Sequence, residues 1–304
     1  CNADMRYYLG TRDAKVLAEK LPMALIHEGV GVVMRDPSGK FAPGDRVVMV
    51  PNCPTETDDY IGENYLRSSK FCGSSMDGFL QEYVEISPRR LVKLPQDINM
   101  NVAAFTEIVS VAVHAISRFD KIAHARRDTI GVWGDGNLAY IVSLFLKKTF
   151  PDSKVYVFGL NDDKLADFTF ADGAYKTTEV PEGFTMDHAF ECVGGNGSPI
   201  AIEQIIGLIK PEATLSILGV SEYPVPINTR MILEKGLRVF GSSRSGVADF
   251  EKTVQMYQQY PEIIDYLGNL ISSVNVVRTT TDIKQAFEKD TQKAFGKTIM
   301  VWQE

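Results

Sequence analysis

The sequence predicts an α/β protein of two parts, a β-rich domain and a doubly wound parallel sheet set into the chain between its segments. Three observations carry this reading. Up to about Val113 the chain is rich in Gly, Pro and short β-branched runs (GVGVVM at 29–34, DRVVMV at 45–50, LQEYVEI at 80–86), which suits an irregular β domain better than repeated βαβ units. From about His114 strand-like runs at 129–133, 154–158, 187–192, 214–219 and 237–241 alternate with helical stretches, the grain of a parallel sheet covered on both faces. From residue 245 the grain changes again, with helical periods near 247–260 and 281–290 and a closing strand, KTIMVW, at 297–302, so the tail returns to the first domain. The expected boundaries are therefore 1–113 with 245–304, and 114–244.

With 304 residues the chain is long enough for two real cores, and 44% hydrophobic with 23% charged residues is ordinary for a globular protein. No apolar run approaches a membrane span. A net charge of −7 argues against a general nucleic-acid surface, which needs clustered Lys and Arg, while leaving room for one small anion pocket. No secretory signal is visible and the four cysteines (Cys1, Cys53, Cys72, Cys192) form no C-x-x-C pair, so a cytoplasmic chain without a disulfide framework is expected. The first residue is Cys1 rather than Met, and part of a natural N-terminus is expected to precede it.

The most specific local signal is GVWGDGNLA, Gly131 to Ala139, between the strand-like Thr129–Trp133 and the helical run from Tyr140 to Phe150. Gly134, Gly136 and Ala139 fall at a strand-to-helix turn in the G-x-G-x-x-G/A spacing of a dinucleotide site. Gly134 permits the turn, Gly136 admits a pyrophosphate to backbone N–H groups, and Ala139 lets helix and strand pack closely. Asn137 and Leu138 open the helix whose N-terminus faces the anion. Asp135 is expected to point away. The next strand, KVYVF, ends at Gly159, where a site preferring NAD carries an acid for the ribose hydroxyls. Gly159 cannot accept those bonds and leaves space for a 2′-phosphate with Lys164 as counter-charge, which favours NADPH. Asp162 and Asp163 argue the other way if either turns inward.

Cys1, His27 and Glu28 are ligand types of a catalytic zinc with an open position. They occur in an ordered series: C-x-x-D, HE-x-x-G-x-V, PGDRV at 43–47, DGFLQEYV at 77–84, TE at 106–107, then the glycine turn. This series resembles the zinc-dependent medium-chain alcohol and polyol dehydrogenases over essentially the whole chain. The resemblance implies a GroES-like β-rich catalytic domain, a Rossmann domain and one catalytic Zn²⁺. It implies Cys1 and His27 as ligands, with Glu28 or Glu107 as the carboxylate, and Asp4 orienting the histidine. It also places Val193–Gly194 and Gly219–Val220 at strand ends beside the nicotinamide and Lys297 near the pyrophosphate. The structural zinc of many members needs four close cysteines, and the stretch 51–75 has only Cys53 and Cys72, so that site is expected to be absent. The proton-relay positions of the simple alcohol dehydrogenases hold Ala3 and Arg6, so a proton must travel by water, Glu28 or Glu107.

Arg6 in RYY and Arg244 in GSSRSG would bring guanidinium forks toward the zinc, which suits a phosphate or carboxylate on the substrate. Together CNADMRYY, KLPMALIHEGVG, PTETDDYIGENYLRSS, WGDGNLAYI, FECVGG and GSSRSG resemble the ribulose-5-phosphate reductase branch of the family. That branch implies NADPH-dependent reduction of D-ribulose 5-phosphate to D-ribitol 5-phosphate, feeding CDP-ribitol and teichoic acid synthesis. A homodimer and a ribitol-5-phosphate cytidylyltransferase partner are implied with it. The alternatives are a zinc dehydrogenase of an unphosphorylated polyol and a non-catalytic NADPH-binding sensor.

Overall fold

Two short helices, α1 (Asn2–Tyr8) and α2 (Ala14–Lys20), precede the first strand, where the sequence reading expected only β structure. Both begin at a local cap: the Cys1 Sγ accepts the Ala3 N–H and the Asp13 side chain accepts the Lys15 N–H. The computed structural model describes residues 1–292 and 295–303, in two units: Cys1–Ser110 with Arg244–Glu304, and Val111–Ser243. In the first unit follow β1 (Val30–Val32), β2 (Arg46–Met49), β3 (Asn52–Cys53), β4 (Lys70–Phe71) and β5 (Leu91–Lys93). Strands β1, β2 and β5 form an antiparallel sheet, with Val48 opposite both Val30 and Val92; β3 and β4 form a separate ribbon with Asn52 opposite Phe71. Val47 and Val48, on opposite faces of β2, are both buried, so the sheet is covered on both sides at this strand.

Helices α3 (Met100–Ala103) and α4 (Thr106–Ile122) come next. On α4 the buried residues Val109, Ala112, Val113, Ile116 and Phe119 recur every three or four positions and form one apolar stripe. The helix runs through Val113, where the sequence reading ended the first domain, and the boundary between the two units falls at Ser110–Val111. Arg244, expected at the end of the central domain, belongs to the first unit.

The central unit contains β6 (Thr129–Trp133), α5 (Asn137–Thr149), β7 (Lys154–Gly159), α6 (Asp162–Leu165), β8 (Gly173–Lys176), β9 (Met186–Glu191), α7 (Ser198–Leu208), β10 (Ile209–Ile217), α8 (Thr229–Lys235) and β11 (Arg238–Gly241). Its six strands are all parallel in the order β11-β10-β9-β6-β7-β8. The chain moves outward from β6 to β8 and then jumps to β9 on the other side. The sheet therefore opens a crevice between the carboxyl ends of β6 and β9, where α/β sheets bind ligands. Trp133, Phe158, Ala189 and Leu215, one from each of four strands, are buried with α7 residues Ile202 and Ile205 in one cluster.

The tail adds α9 (Val247–Gln259), α10 (Glu262–Gly268), β12 (Ile271–Val277), α11 (Thr280–Gln292) and β13 (Lys297–Trp302) to the first unit, with β12 and β13 parallel. Strand β12 was not anticipated: ISSVNVV alternates buried and exposed positions and exposes Val274 and Val276.

Candidate active site

The loop that carries His27 is fixed by backbone bonds before any side chain matters. Gly78 and Phe79 donate to the carbonyls of Ala24 and Ile26 at 2.7 and 2.6 Å, and the Ile26 N–H donates to Asp4 Oδ1 at 2.9 Å. A Cβ on Gly78 would stand 2.2 Å from the Ile26 carbonyl oxygen, so the DGF motif needs its glycine for this close approach. Held in this way, His27 Nε2 lies 3.2 Å from Cys1 Sγ. One donor atom each from His27, Glu28 and Glu107 fall within 4.8 Å of one another, as do those of Cys1, Asp4 and His27. Glu107 reaches the cluster from the first turn of α4. The sequence-predicted ligands Cys1, His27, Glu28 and Glu107, with Asp4, therefore form two sets that share His27.

The charges there are strongly coupled. Asp4 Oδ2 stands 3.5 Å from His27 Nδ1, which holds the ring and leaves Nε2 toward the cluster. Burial opposes ionisation of Asp4, yet the bond to His27 and the charge of that ring favour the carboxylate. Burial also opposes a charge on His27, but Asp4, Glu107 and Glu28 raise its proton affinity. Glu28 is held low against burial by Lys297 and His27. Glu107 is pushed up to about 7 by burial and by the neighbouring Glu28, despite the attraction of His27. A divalent cation would relieve this crowding of acids. Glu28 Oε2 is buried without a hydrogen-bond partner among the described residues, and a set of thiol, imidazole and carboxylates is one that Zn²⁺ accepts. The residues fit the metal.

Lys297 corrects the sequence reading. It was expected near a pyrophosphate, but its ammonium lies 2.6 Å from Glu28 Oε1 and both side chains are under a tenth exposed. The physical reason is that a buried carboxylate needs a compensating cation, and β13 begins beside it. Arg244, one of the two expected anion-binding residues, lies over the Phe71 ring at 4.9 Å, and that ring packs on His27 with centroids 5.3 Å apart. Arg6 is half-buried, and burial followed by the positive charge of Arg12 lowers its proton affinity. Arg12, which motif reasoning missed, lies over the Tyr7 ring and reaches the Ala3 carbonyl.

In the central unit the glycine turn takes the form its sequence demands. Gly134 has φ of +130°, and a Cβ there would meet the Cys192 carbonyl oxygen at 3.0 Å and the Ala139 methyl at 3.3 Å. Gly136 caps α5 with open space around it, and Asn137, Leu138 and Ala139 form the first turn of that helix. Asp135 does not point away: its Oδ2 accepts the N–H groups of Leu160 and Asn161 at 2.8 and 2.9 Å. It thereby fills the space that the sequence reading left at Gly159, where a Cβ would stand 2.6 Å from Asp135 Cβ and 3.0 Å from Leu165. Gly159 is a packing glycine, and Lys164 Nζ lies 4.0 Å from Asp135 Oδ1, so its charge is shared with that acid. Asp162 pairs with Lys176 and does not turn inward.

The ends of β9 and β10 are tied by a residue the motifs did not single out. Glu191, fully buried, accepts the N–H groups of Val193 and Gly194 on Oε1 at 3.0 and 2.8 Å and of Gly219 on Oε2 at 3.1 Å. Gly194 and Gly219 touch so closely that a Cβ on Gly219 would stand 2.3 Å from the Gly194 nitrogen. Val193 and Val220 beside them remain exposed. The signal was present in ECVGG: an acid just before two glycines at a strand end, aimed at backbone N–H groups.

A GroES-like unit with a Cys, His and carboxylate cluster and a doubly wound unit with a dinucleotide turn define a medium-chain dehydrogenase. The Alcohol dehydrogenase GroES-like domain family model matches residues 1–96. Along its whole length the chain is 56% identical to the Ribulose-5-phosphate reductase of Bacillus spizizenii (strain ATCC 23059 / NRRL B-14472 / W23), of which it covers 89%. It is 52% identical to Ribulose-5-phosphate reductase 1 of Staphylococcus aureus (strain NCTC 8325 / PS 47), over 99% of this chain and 89% of the relative. Among solved structures, S. aureus TarJ in complex with NADPH matches with a TM-score of 0.89 and 47% identity, covering 100% of this chain and 88% of that chain. The chain belongs to the family of the ribulose-5-phosphate reductases.

Proposed function

We propose that the chain is a zinc-dependent NADPH oxidoreductase that reduces D-ribulose 5-phosphate to D-ribitol 5-phosphate, the precursor of CDP-ribitol in teichoic acid synthesis. The observation that carries the reading is the convergence of Cys1 Sγ, His27 Nε2 and the carboxylates of Glu28 and Glu107 in a chain of this family. Cys1, His27 and one of the two glutamates would hold the metal. When bound, zinc supplies a Lewis acid for the C2 carbonyl oxygen and NADPH supplies the hydride. Asp4 fixes the imidazole so that Nε2 faces the cluster, and Lys297 holds Glu28 in place. The alcohol product needs one proton. Whichever of Glu28 and Glu107 does not hold the metal is placed beside it to supply that proton. Arg244, with Arg6 and Arg12, gives the substrate phosphate its cationic contacts.

The N–H groups at the start of α5 and the open space at Gly136 suit a pyrophosphate. Among the described residues no helix is long and apolar enough to cross a membrane. A cytoplasmic homodimer that passes its product to a cytidylyltransferase completes the reading. The dimer is supported by the edge position of β11 and by exposed Leu233 on α8, the helix that precedes it. The test follows NADPH oxidation with ribulose 5-phosphate, free ribulose and other free ketoses, alongside zinc analysis. Turnover should require the phosphate and one zinc per chain; equal turnover of free ketoses would establish a polyol dehydrogenase instead, and no turnover of any ketose would leave a binding protein.

A further inference from the structure

Cys53 and Cys72 lie outside the cluster described above. Cys53 ends β3, and Cys72 follows β4 with its N–H donated to the Pro51 carbonyl at 2.9 Å. With Asn52 opposite Phe71, the two cysteines lie diagonally across the ribbon on one face. Cys53 packs against the cluster that holds Cys72, and both line a cavity of about 940 Å³ whose wall includes Glu63, Arg89 and Arg90. Cys53 is half-buried and reachable, while Cys72 is buried against Met49 and Phe79. The arrangement is that of a reactive thiol beside a resolving one.

We propose that Cys53 and Cys72 form a site of reversible oxidation by hydroperoxides, closing to a disulfide that slows the enzyme. The Cys53 thiolate attacks a peroxide oxygen, the O–O bond breaks and an alcohol or water leaves, so Cys53 becomes a sulfenic acid. The Cys72 sulfur then attacks Cys53 Sγ, a water leaves, and the S–S bond forms. The two thiols lose two electrons and two protons, and the hydroperoxide takes them up as one alcohol and one water. The neighbouring Cys72 draws the Cys53 thiol down to about 7, against burial and with help from Arg90, so a thiolate is available near neutral pH. Cys72 is pushed up by the neighbouring Cys53 and by burial and stays protonated.

Oxidation reaches the active site through one side chain. Phe71 adjoins Cys72, packs on His27 and carries the Arg244 guanidinium on its ring. Closing a covalent S–S bond between two diagonal positions draws the Cys72 backbone toward β3 and moves Phe71 away from both. The loss of turnover rests on the reductase reading; the chemistry of the two thiols does not.

The full chain is treated with hydrogen peroxide, digested without reduction and mapped by mass, with NADPH-dependent turnover and zinc followed in parallel. A peptide joining Cys53 to Cys72 should appear, lighter by two hydrogens and cleaved by dithiothreitol, and turnover should fall severalfold and recover with the thiol. Cys53→Ser should match the untreated wild type and resist peroxide; Cys72→Ala should leave Cys53 as a sulfenic acid that dimedone traps. If Cys53 runs on to sulfinic acid in the wild type with no linked peptide, the disulfide is refuted whatever the enzyme's substrate. If the link forms with turnover unchanged, or Cys53→Ser is inactivated as fast as wild type, the control of activity is refuted.

Discussion

Lys297 and Glu28 are a buried pair, and each is the other's neutraliser. Removing one partner of such a pair costs about 3–5 kcal/mol because the remaining charge is stranded. Lys297→Met should therefore lower stability to urea by about that amount and weaken zinc retention, with little change in the affinity for NADPH. A cofactor defect with unchanged stability would return Lys297 to the pyrophosphate. His188 makes a second residue-scale prediction. Its Nδ1 accepts the Thr214 N–H at 3.1 Å and its Nε2 donates to the Arg126 carbonyl at 3.0 Å, so the folded chain needs the neutral ring. Burial and the charge of His124 lower its pKa to about 4. The unfolded chain takes up this proton near pH 6.5. The folded state therefore loses stability as pH falls from there toward about 4, by up to ~3 kcal/mol, and the group adds no further change below. Urea midpoints across that range should show the slope, and His188→Gln, which keeps one acceptor and one donor, should flatten it; an identical slope in the variant would assign the acid sensitivity elsewhere.

At the scale of elements, the ends of β9 and β10 are held by one carboxylate that takes three N–H groups. Glu191→Gln offers one acceptor oxygen and turns an amide N–H toward a backbone N–H. A charge-assisted bond is worth about 1.5–3 kcal/mol, so kcat/KM for NADPH should fall by about one to two powers of ten, with zinc content unchanged. Unchanged NADPH kinetics would show that the strand ends hold themselves. The neighbouring turn shows why part of this was legible in the sequence. Gly134 needs a positive φ and Ala139 must be small, so the motif states its own geometry. Gly159 misled for the opposite reason: the residue that fills its space, Asp135, is distant in sequence and declares its direction only once Leu160 and Asn161 are in place. Helix α1 has seven residues and little intrinsic stability, so no periodicity announced it; its cap and its buried face make it. Arg12 and the Lys297–Glu28 pair belong to no motif, since tertiary folding alone creates their contacts.

The molecule as a whole divides its chemistry between two units, and removal of metal should expose that division. With a chelator, hydrogen exchange should rise around 1–28 and 100–110 while Val111–Ser243 stays protected, because the central unit has its own core. The metal-free chain also carries Glu107 with a pKa raised to about 7 from an ordinary 4.5. Its contribution to stability is complete at acid pH and is lost as pH rises through about 7, by ~3 kcal/mol. Chelated protein should thus be weakest on the alkaline side, and metal should restore it; a chelated protein equally stable at both ends would mean that Glu107 has found another partner.

The first unit is assembled from both ends of the chain, with Glu28 and Lys297 separated by 269 positions. On the ribosome, synthesis runs from one end only, and domains fold as their segments emerge. Val111–Ser243 is therefore whole while the metal cluster still lacks its ammonium, and the nascent chain carries Cys1, His27 and two acids on an unfinished unit until β13 leaves the exit tunnel. Metal loading is then a late event in the life of each polypeptide, and a stalled or prematurely released chain ends as a finished cofactor fold without a working catalytic half.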